Sequence, residues 1–479
     1  MPAGIRARLV AMALSLLLPA GAWAQVAPHV TIDTGTLAGS VEDGVASWKG
    51  IPFAAPPVGP LRWRAPQPPA PWAGVRQATD FGPDCMQVPF RSDFTPLGNR
   101  PAEDCLYANV WRPAASTQAL PVIVWIYGGG FVNGGAAAPV YSGANLARQG
   151  VMVVSFNYRL GRFGTFVHPQ LSRENADSGL LGNYGYMDQL ALLGWVRRNI
   201  AAFGGDPANV TIAGESAGGM SVHMLVTSPL ARGLFARAAM MSADTGRVIG
   251  SKDQATVERI GIDFAAGKSI PSDDPNALAS LRALTAAEVT DGLSMMSLLG
   301  GGGRPRTFAS PFPDGRIAVD AQAAYEAGNF EHVPMMIGAT DADLGGRNGV
   351  MVVGARRTSR TIAATDTPVY AYRFAYVAEW IGQADAQHAS DIPYFLDTTL
   401  IHDPDRTTPR DIEMGRIMSG YLVNFARTGN PNGGGLPAWP RYAPDQDEIM
   451  IFDRDGAASA QRDPWAAELD AVVGEAPVR

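Results

Sequence analysis

The stretch Gly214-Glu215-Ser216-Ala217-Gly218 carries the residue types for nucleophilic catalysis. Residues 210–213 precede it as a short apolar, β-branched run, and 217–225 follow as an Ala-rich helical start. A sharp strand-to-helix turn in that setting pushes the serine hydroxyl out at the top of a sheet. The two glycines matter because side chains there would collide with neighbouring backbone. A serine alone is a poor nucleophile, and the tetrahedral oxyanion it generates needs donors. Tyr127-Gly128-Gly129-Gly130-Phe131 directly follows the apolar run 122–126. A glycine turn at a strand end can direct backbone N–H groups toward developing negative charge. Gly129 and Gly130, with the N–H of Ala217, are the expected oxyanion donors.

The serine also needs a base, and the chain has only six histidines. His29 is near the terminus, and His168 lies in a Pro-rich polar loop. His223 sits on the helix after the serine, where it packs or faces solvent, and His332 precedes the candidate acids. In the chain order serine, acid, histidine, His388 and His402 remain. His388, in Gln387-His388-Ala389-Ser390-Asp391, occupies a loop after the strand-like run 369–374, from which an imidazole can reach the serine. His402, between Ile401 and Asp403, has no such setting. Asp341 and Asp343 both follow the run ending at residue 339, and either carboxylate could hold the second imidazole nitrogen. The residues by themselves do not separate the two.

Elements must bring these groups together. Apolar and β-branched runs at 107–111, 122–127, 151–157, 210–213, 333–339 and 369–374 read as central strands. Residues 188–201 carry Leu190, Leu193, Val196 and Ile200 at helical spacing, and 414–428 reads as a late amphipathic helix. Alternating strand and helix is the pattern of a mostly parallel sheet. Residues 30–50 read as an antiparallel hairpin at its start, and the Pro-rich stretch 52–71 as an irregular surface loop. Residues 245–310, helical in pattern with a Gly300–303 run, read as a cap or pocket-wall insertion. Phe131, Phe163, Phe308 and Phe312 are candidates for the pocket or, more commonly for scattered phenylalanines, the core.

Composition bounds the partners. The 479 residues are 46% hydrophobic with a formal net charge of −7 and no Lys/Arg run, which argues against nucleic acid or an anionic membrane surface and for a small-molecule partner. Arg6 and Arg8, an apolar run over 9–18, and Ala22-Trp23-Ala24 before Gln25 form the pattern of a cleaved export signal over residues 1–24. The expected mature chain, 25–479, is then one catalytic domain in the periplasm or medium, since no linker or charge block divides it. The only cysteines, Cys85 and Cys105, would close a loop of about 20 residues as a structural disulfide. No cluster of Cys and His ligands or phosphate-binding glycine loop is present, so neither metal nor organic cofactor is expected.

Taken in order, Glu103-Asp104-Cys105-Leu106-Tyr107 with Asn109-Val110, the run 127–131, Asn157-Tyr158-Arg159-Leu160-Gly161, Gly182-Asn183-Tyr184-Gly185 with Asp188-Gln189, and Phe203-Gly204-Gly205-Asp206-Pro207 leading to Ser216 resemble the type-B carboxylesterase family, related to cholinesterases. The resemblance implies an α/β-hydrolase fold, a large mostly parallel sheet flanked by helices with helical cap insertions. It also implies a disulfide between Cys85 and Cys105, and hydrolysis of carboxylic esters through an acyl-enzyme. The family's acid position falls on Asp343, where glutamate is usual, and its histidine stretch falls on 388–392. Ser216, Asp343 and His388 are then the implied triad. A lipase on long-chain esters, an amide- or carbamate-cleaving enzyme and a non-catalytic binding protein on the same fold are the competing readings; the last usually lacks the serine or histidine. Between acid and histidine the family carries a long helical stretch, whereas here only 345–367 fill the gap, which leads us to expect a more open site accepting bulky esters.

Overall fold

The computed structural model describes residues 27–89, 95–245, 250–299 and 307–475. The expected export signal therefore lies outside the described residues, as does the Gly300–303 run. Along the chain the strands are β1 (His29–Ile32), β2 (Gly35–Ala38), β3 (Ser40–Glu42), β4 (Val45–Pro52), β5 (Val75–Gln77), β6 (Tyr107–Pro113), β7 (Leu120–Ile126), β8 (Met152–Phe156), β9 (Gly205–Glu215), β10 (Arg237–Met241), β11 (Met335–Thr340), β12 (Val369–Phe374), β13 (Glu448–Phe452) and β14 (Ala458–Arg462). β3, β4 and β6 to β14 form one sheet of eleven strands in the order β14-β13-β12-β11-β10-β9-β7-β8-β6-β4-β3.

The stretch from β13 to β8 is parallel throughout, and antiparallel strands finish both edges. Parallel strands are covered on both faces, so they read as unbroken apolar runs rather than alternating ones. β8 (MVVSF) and β11 (MMIGAT) are buried at every position. The chain crosses from β8 over β7 to β9, so the order reverses at β7. Loops leaving neighbouring strands diverge at such a point, and the crevice beyond the strand ends is where ligands bind in open α/β sheets.

Residues 30–50 form two hairpins rather than one. β1 and β2 pair in a small separate sheet with β5, while β3 and β4 join the large sheet. Gly39, between β2 and β3, explains the switch, because a Cβ there would stand 2.3 Å from the Ser47 carbonyl oxygen. The late helix begins earlier than its apolar pattern, at Pro409, and runs Pro409–Thr428. Thr408 and Asp411 form a capping box at its start, with Pro409 in the first turn and left-handed Gly429 at its end. The helix read at 188–201 spans Tyr184–Asn199. It gains its first turn because Asp188 is buried against the Arg159 guanidinium at 2.7 Å and also accepts the Arg159 backbone N–H.

Helices Gln254–Gly267, Ala277–Ala283, Ala286–Thr290 and Met295–Leu299 occupy the expected insertion. The short piece 345–367 is itself largely a helix, Val350–Ala363, packed on β11 and β12. Its Arg356 lies buried among three C-terminal carboxylates, Asp447 (2.8 Å), Asp463 (3.2 Å) and Asp470 (2.8 Å), and Asp463 also pairs with Arg373 at 2.9 Å. Phe131, Phe163, Phe308 and Phe312 are all buried. No described helix is long and apolar enough to cross a membrane.

Candidate active site

Ser216 ends β9 and opens the helix Ala217–Thr227. Its backbone is at φ 56° and ψ −124°, a region costing roughly 1–3 kcal/mol for a residue with a side chain. Close packing holds it there. A Cβ on Gly218 would lie 2.0 Å from the Ile126 carbonyl oxygen, and one on Gly214 would lie 2.6 Å from the Gly218 backbone. The serine N–H also donates to Met241 O at 2.9 Å. The residue is nearly buried, at 8% exposure, with its hydroxyl turned toward His388.

His388 Nε2 lies 2.9 Å from Ser216 Oγ, and His388 Nδ1 lies 2.6 Å from Asp343 Oδ1. These groups come from the ends of β9, β11 and β12, and the serine and histidine are 172 residues apart in the chain. Asp343 accepts further bonds from the Leu344 N–H (2.7 Å) and, on its other oxygen, from the Thr340 hydroxyl (3.0 Å). Burial pushes its carboxyl upward, but the adjacent imidazole and its hydrogen bond outweigh that and hold it below the ordinary aspartate value. Burial likewise works against a charged His388, yet the carboxylates of Glu215 and Asp343 prevail and raise the imidazole above its ordinary value.

Asp341 does not touch the imidazole; its Oδ1 accepts the Ala386 N–H at 2.7 Å. His29 is exposed at the start of β1, and the other described histidines are engaged elsewhere. His168 Nδ1 caps the helix Pro169–Glu174, His223 meets Tyr325 OH at 2.9 Å, His332 meets Thr367, and His402 lies 3.8 Å from Asp403.

Gly129 and Gly130 have φ of 96° and 61°, a left-handed run that L side chains resist. A Cβ on neighbouring Gly128 would stand 2.9 Å from Ser216 Cβ, which sets how closely this loop approaches the serine. Among the described residues, the N–H groups of Gly129, Gly130 and Ala217 donate to no other protein group. The loop is braced from outside. Gln87 donates to Gly134 O at 2.6 Å and accepts the Gly134 N–H at 2.9 Å, and Asn157 accepts the Ala136 N–H at 2.8 Å. Gln87 follows Cys85, which is disulfide-bonded to Cys105.

Three features lay beyond sequence reading. Glu215, inside the serine motif, lies buried with a carboxylate oxygen 3.3 Å from His388 Nε2. Asp391, three residues after His388, is buried, accepts the Tyr372 hydroxyl at 3.0 Å, and is pushed up to about 6 by burial. The helix Met295–Leu299 approaches the glycine loop, so that a Cβ on Gly130 would meet Leu298 Cδ1 at 3.4 Å and Met295 Cε at 3.5 Å. Motif position gave a signal for Glu215 and Asp391. Nothing in the spacing around Met295 did.

The carboxylesterase family model matches residues 26–349 and 346–469, and its two pieces meet at the head of the short 345–367 segment. A fumonisin B1 esterase of Sphingopyxis macrogoltabida is 34% identical over 86% of this chain and 84% of its own. A para-nitrobenzyl esterase of Bacillus subtilis is 33% identical over 88% and 94%. A solved PNB esterase structure superposes with a TM-score of 0.81 at 30% identity, covering 93% of this chain and 99% of that one. The strand-to-helix serine turn at the sheet's order reversal, the glycine loop beside it and these matches over nearly the whole chain lead to one conclusion: the chain is a serine carboxylic ester hydrolase of the α/β-hydrolase fold and belongs to the carboxylesterase family.

Proposed function

We propose that the chain is an exported carboxylesterase working through Ser216, His388 and Asp343, with the N–H groups of Gly129, Gly130 and Ala217 as its oxyanion hole. The observation that carries this reading is the continuous relay from Ser216 Oγ to His388 Nε2 (2.9 Å) and from His388 Nδ1 to Asp343 (2.6 Å). His388 takes the serine proton as Oγ attacks the ester carbonyl, and the resulting imidazolium is stabilised by Asp343. Collapse of the tetrahedral intermediate protonates the departing alcohol from His388. Water, deprotonated by the same imidazole, then releases the acid.

Export rests on the signal pattern in residues 1–24 and on the Cys85–Cys105 disulfide, a bond that persists in oxidising compartments. Residues 25–479 then act as one catalytic unit on small-molecule esters. An open approach for bulky esters is expected from the shortness of the segment between acid and histidine, 345–367.

A chain-length panel of p-nitrophenyl esters, assayed beside Ser216→Ala and His388→Ala, tests the reading. Both variants are expected to lose on the order of 10⁴-fold or more in kcat while unfolding at the wild-type temperature. A folded Ser216→Ala variant retaining more than a few percent of turnover would refute the assignment.

A further inference from the structure

Two carboxylates leave β11 within three residues, and only Asp343 meets the imidazole. The other is no less buried in contacts. The Asp341 N–H donates to Phe374 O at 2.9 Å, at the end of β12, and its Oδ1 accepts the Ala386 N–H at 2.7 Å. The next residue continues the pairing, since the Ala342 N–H donates to Ala386 O at 3.0 Å and Ala342 bridges Gln387 in parallel register. Asp343 then faces His388. Residues 341–343 and 386–388 thus run side by side, one opposite one, with a carboxylate contact at each end of the clip.

We propose that Asp341 is a positioning residue for the hydrolysis. It sets the register between the acid loop and the histidine loop, and Arg454 in the turn between β13 and β14 steadies it. The Arg454 guanidinium lies 3.8 Å from Asp341 Oδ2 and also contacts the Asp385 carboxylate. Burial pushes the Asp341 carboxyl upward, and the Ala386 N–H with the charges of Arg454 and Arg373 opposes this. The clip has a directional consequence. A loop joined by two backbone contacts alone can slide or tilt, and side-chain alternation makes a one-residue slip aim His388 away from Ser216. With Asp341 in place, the imidazole is held between serine and acid before substrate arrives, and misplacement by about 1 Å at such a site costs on the order of a hundredfold in rate.

This inference rests on the assignment of Ser216, His388 and Asp343, so Ser216→Ala, His388→Ala and Asp343→Asn are assayed in parallel. The test measures kcat and KM for p-nitrophenyl butyrate, the rate at which a fluorophosphonate traps Ser216, and melting temperature, for Asp341→Ala, Asp341→Asn and Arg454→Gln. Asp341→Ala is expected to lower kcat and the trapping rate together by about ten- to a hundredfold, with KM within about twofold. Asp341→Asn keeps an oxygen acceptor for the Ala386 N–H and is expected to recover to within about threefold of wild type; Arg454→Gln falls between. Wild-type kcat in Asp341→Ala overturns the proposal, as does equal damage by Ala and Asn. If the Ala variant does not fold, a folded Asn variant as slow as the Asp343→Asn variant overturns it alone. Activity surviving in Ser216→Ala or His388→Ala would instead reject the underlying assignment, and full activity in Asp343→Asn with none in Asp341→Asn would exchange the two acids.

Discussion

The serine side of the site and the acid–histidine side are built by different means. Ser216 and the glycine loop sit at the ends of the adjacent strands β9 and β7, and backbone sterics hold them: Gly214, Gly218 and Gly128 are each too close to neighbouring backbone for a side chain. His388 and Asp343 ride on loops beyond β12 and β11, and hydrogen bonds and ion pairs between distant residues hold them. A site can therefore be rigid where contiguous sequence dictates a turn and adjustable where side chains from the far end of the chain must meet.

The sharpest way to break this contrast is Gly218→Ala. Its new methyl group would strike the carbonyl oxygens of Ile126 and Tyr127, so overpacking of about 3 kcal/mol is expected. Turnover should fall by on the order of a hundredfold or more as the Ala217 N–H moves. Thermal melts with esterase assays check this, and a Gly218→Ala enzyme with normal kcat would mean the turn is softer than its packing implies. Next in effect is Arg356→Ala on the other side. Removing the guanidinium leaves Asp447 and Asp463 buried without it, which is expected to cost about 3–5 kcal/mol of stability while kcat of the folded fraction changes little; denaturant unfolding beside initial rates separates the two. Arg356→Lys, lacking the planar fork, should restore only part.

The smallest expected effect sharpens the comparison instead of breaking it. In the proposed mechanism only neutral His388 accepts the serine proton, so kcat/KM is expected to rise with pH through the imidazole's titration. Neighbouring carboxylates raise that titration, which places the acid limb above the ordinary histidine value of about 6.5. Glu215→Gln removes one of those charges and should move the limb to lower pH, raising relative activity in mildly acidic buffer. A limb that stays in place would mean that Glu215 exerts no electrostatic hold on the base.

The same contrast governs how much could be read from sequence. Ser216, Gly129 and Gly130 sit in contiguous motifs whose spacing encodes a turn, and the runs around them became strands β7, β8, β9 and β11. Asp341 and Asp343 could not be separated by residue type, because what distinguishes them is the pairing of Ala342 with Gln387, forty-five residues away. The resemblance favoured Asp343, and the geometry brings that carboxylate to the imidazole. Of the piece 345–367, the sequence shows mainly that it is short. It is a helix that hides Arg356 among carboxylates more than ninety residues further along, a partnership invisible to local periodicity. Met295 and Leu298 reach the glycine loop only through the packing of the insertion, so no local pattern could have pointed to them.

The bracing of the glycine loop by Gln87 has a consequence for the enzyme's biosynthesis. Gln87 stands two residues from Cys85, inside the segment that the bond to Cys105 ties shut. The amide that fixes Gly134, and with it the proposed oxyanion donors, is therefore tied to the rest of the fold through that bond. On the proposed exported reading, closing the Cys85–Cys105 bond and completing the frame around Gly134 are one event, so reducing that bond is expected to lower kcat as well as stability.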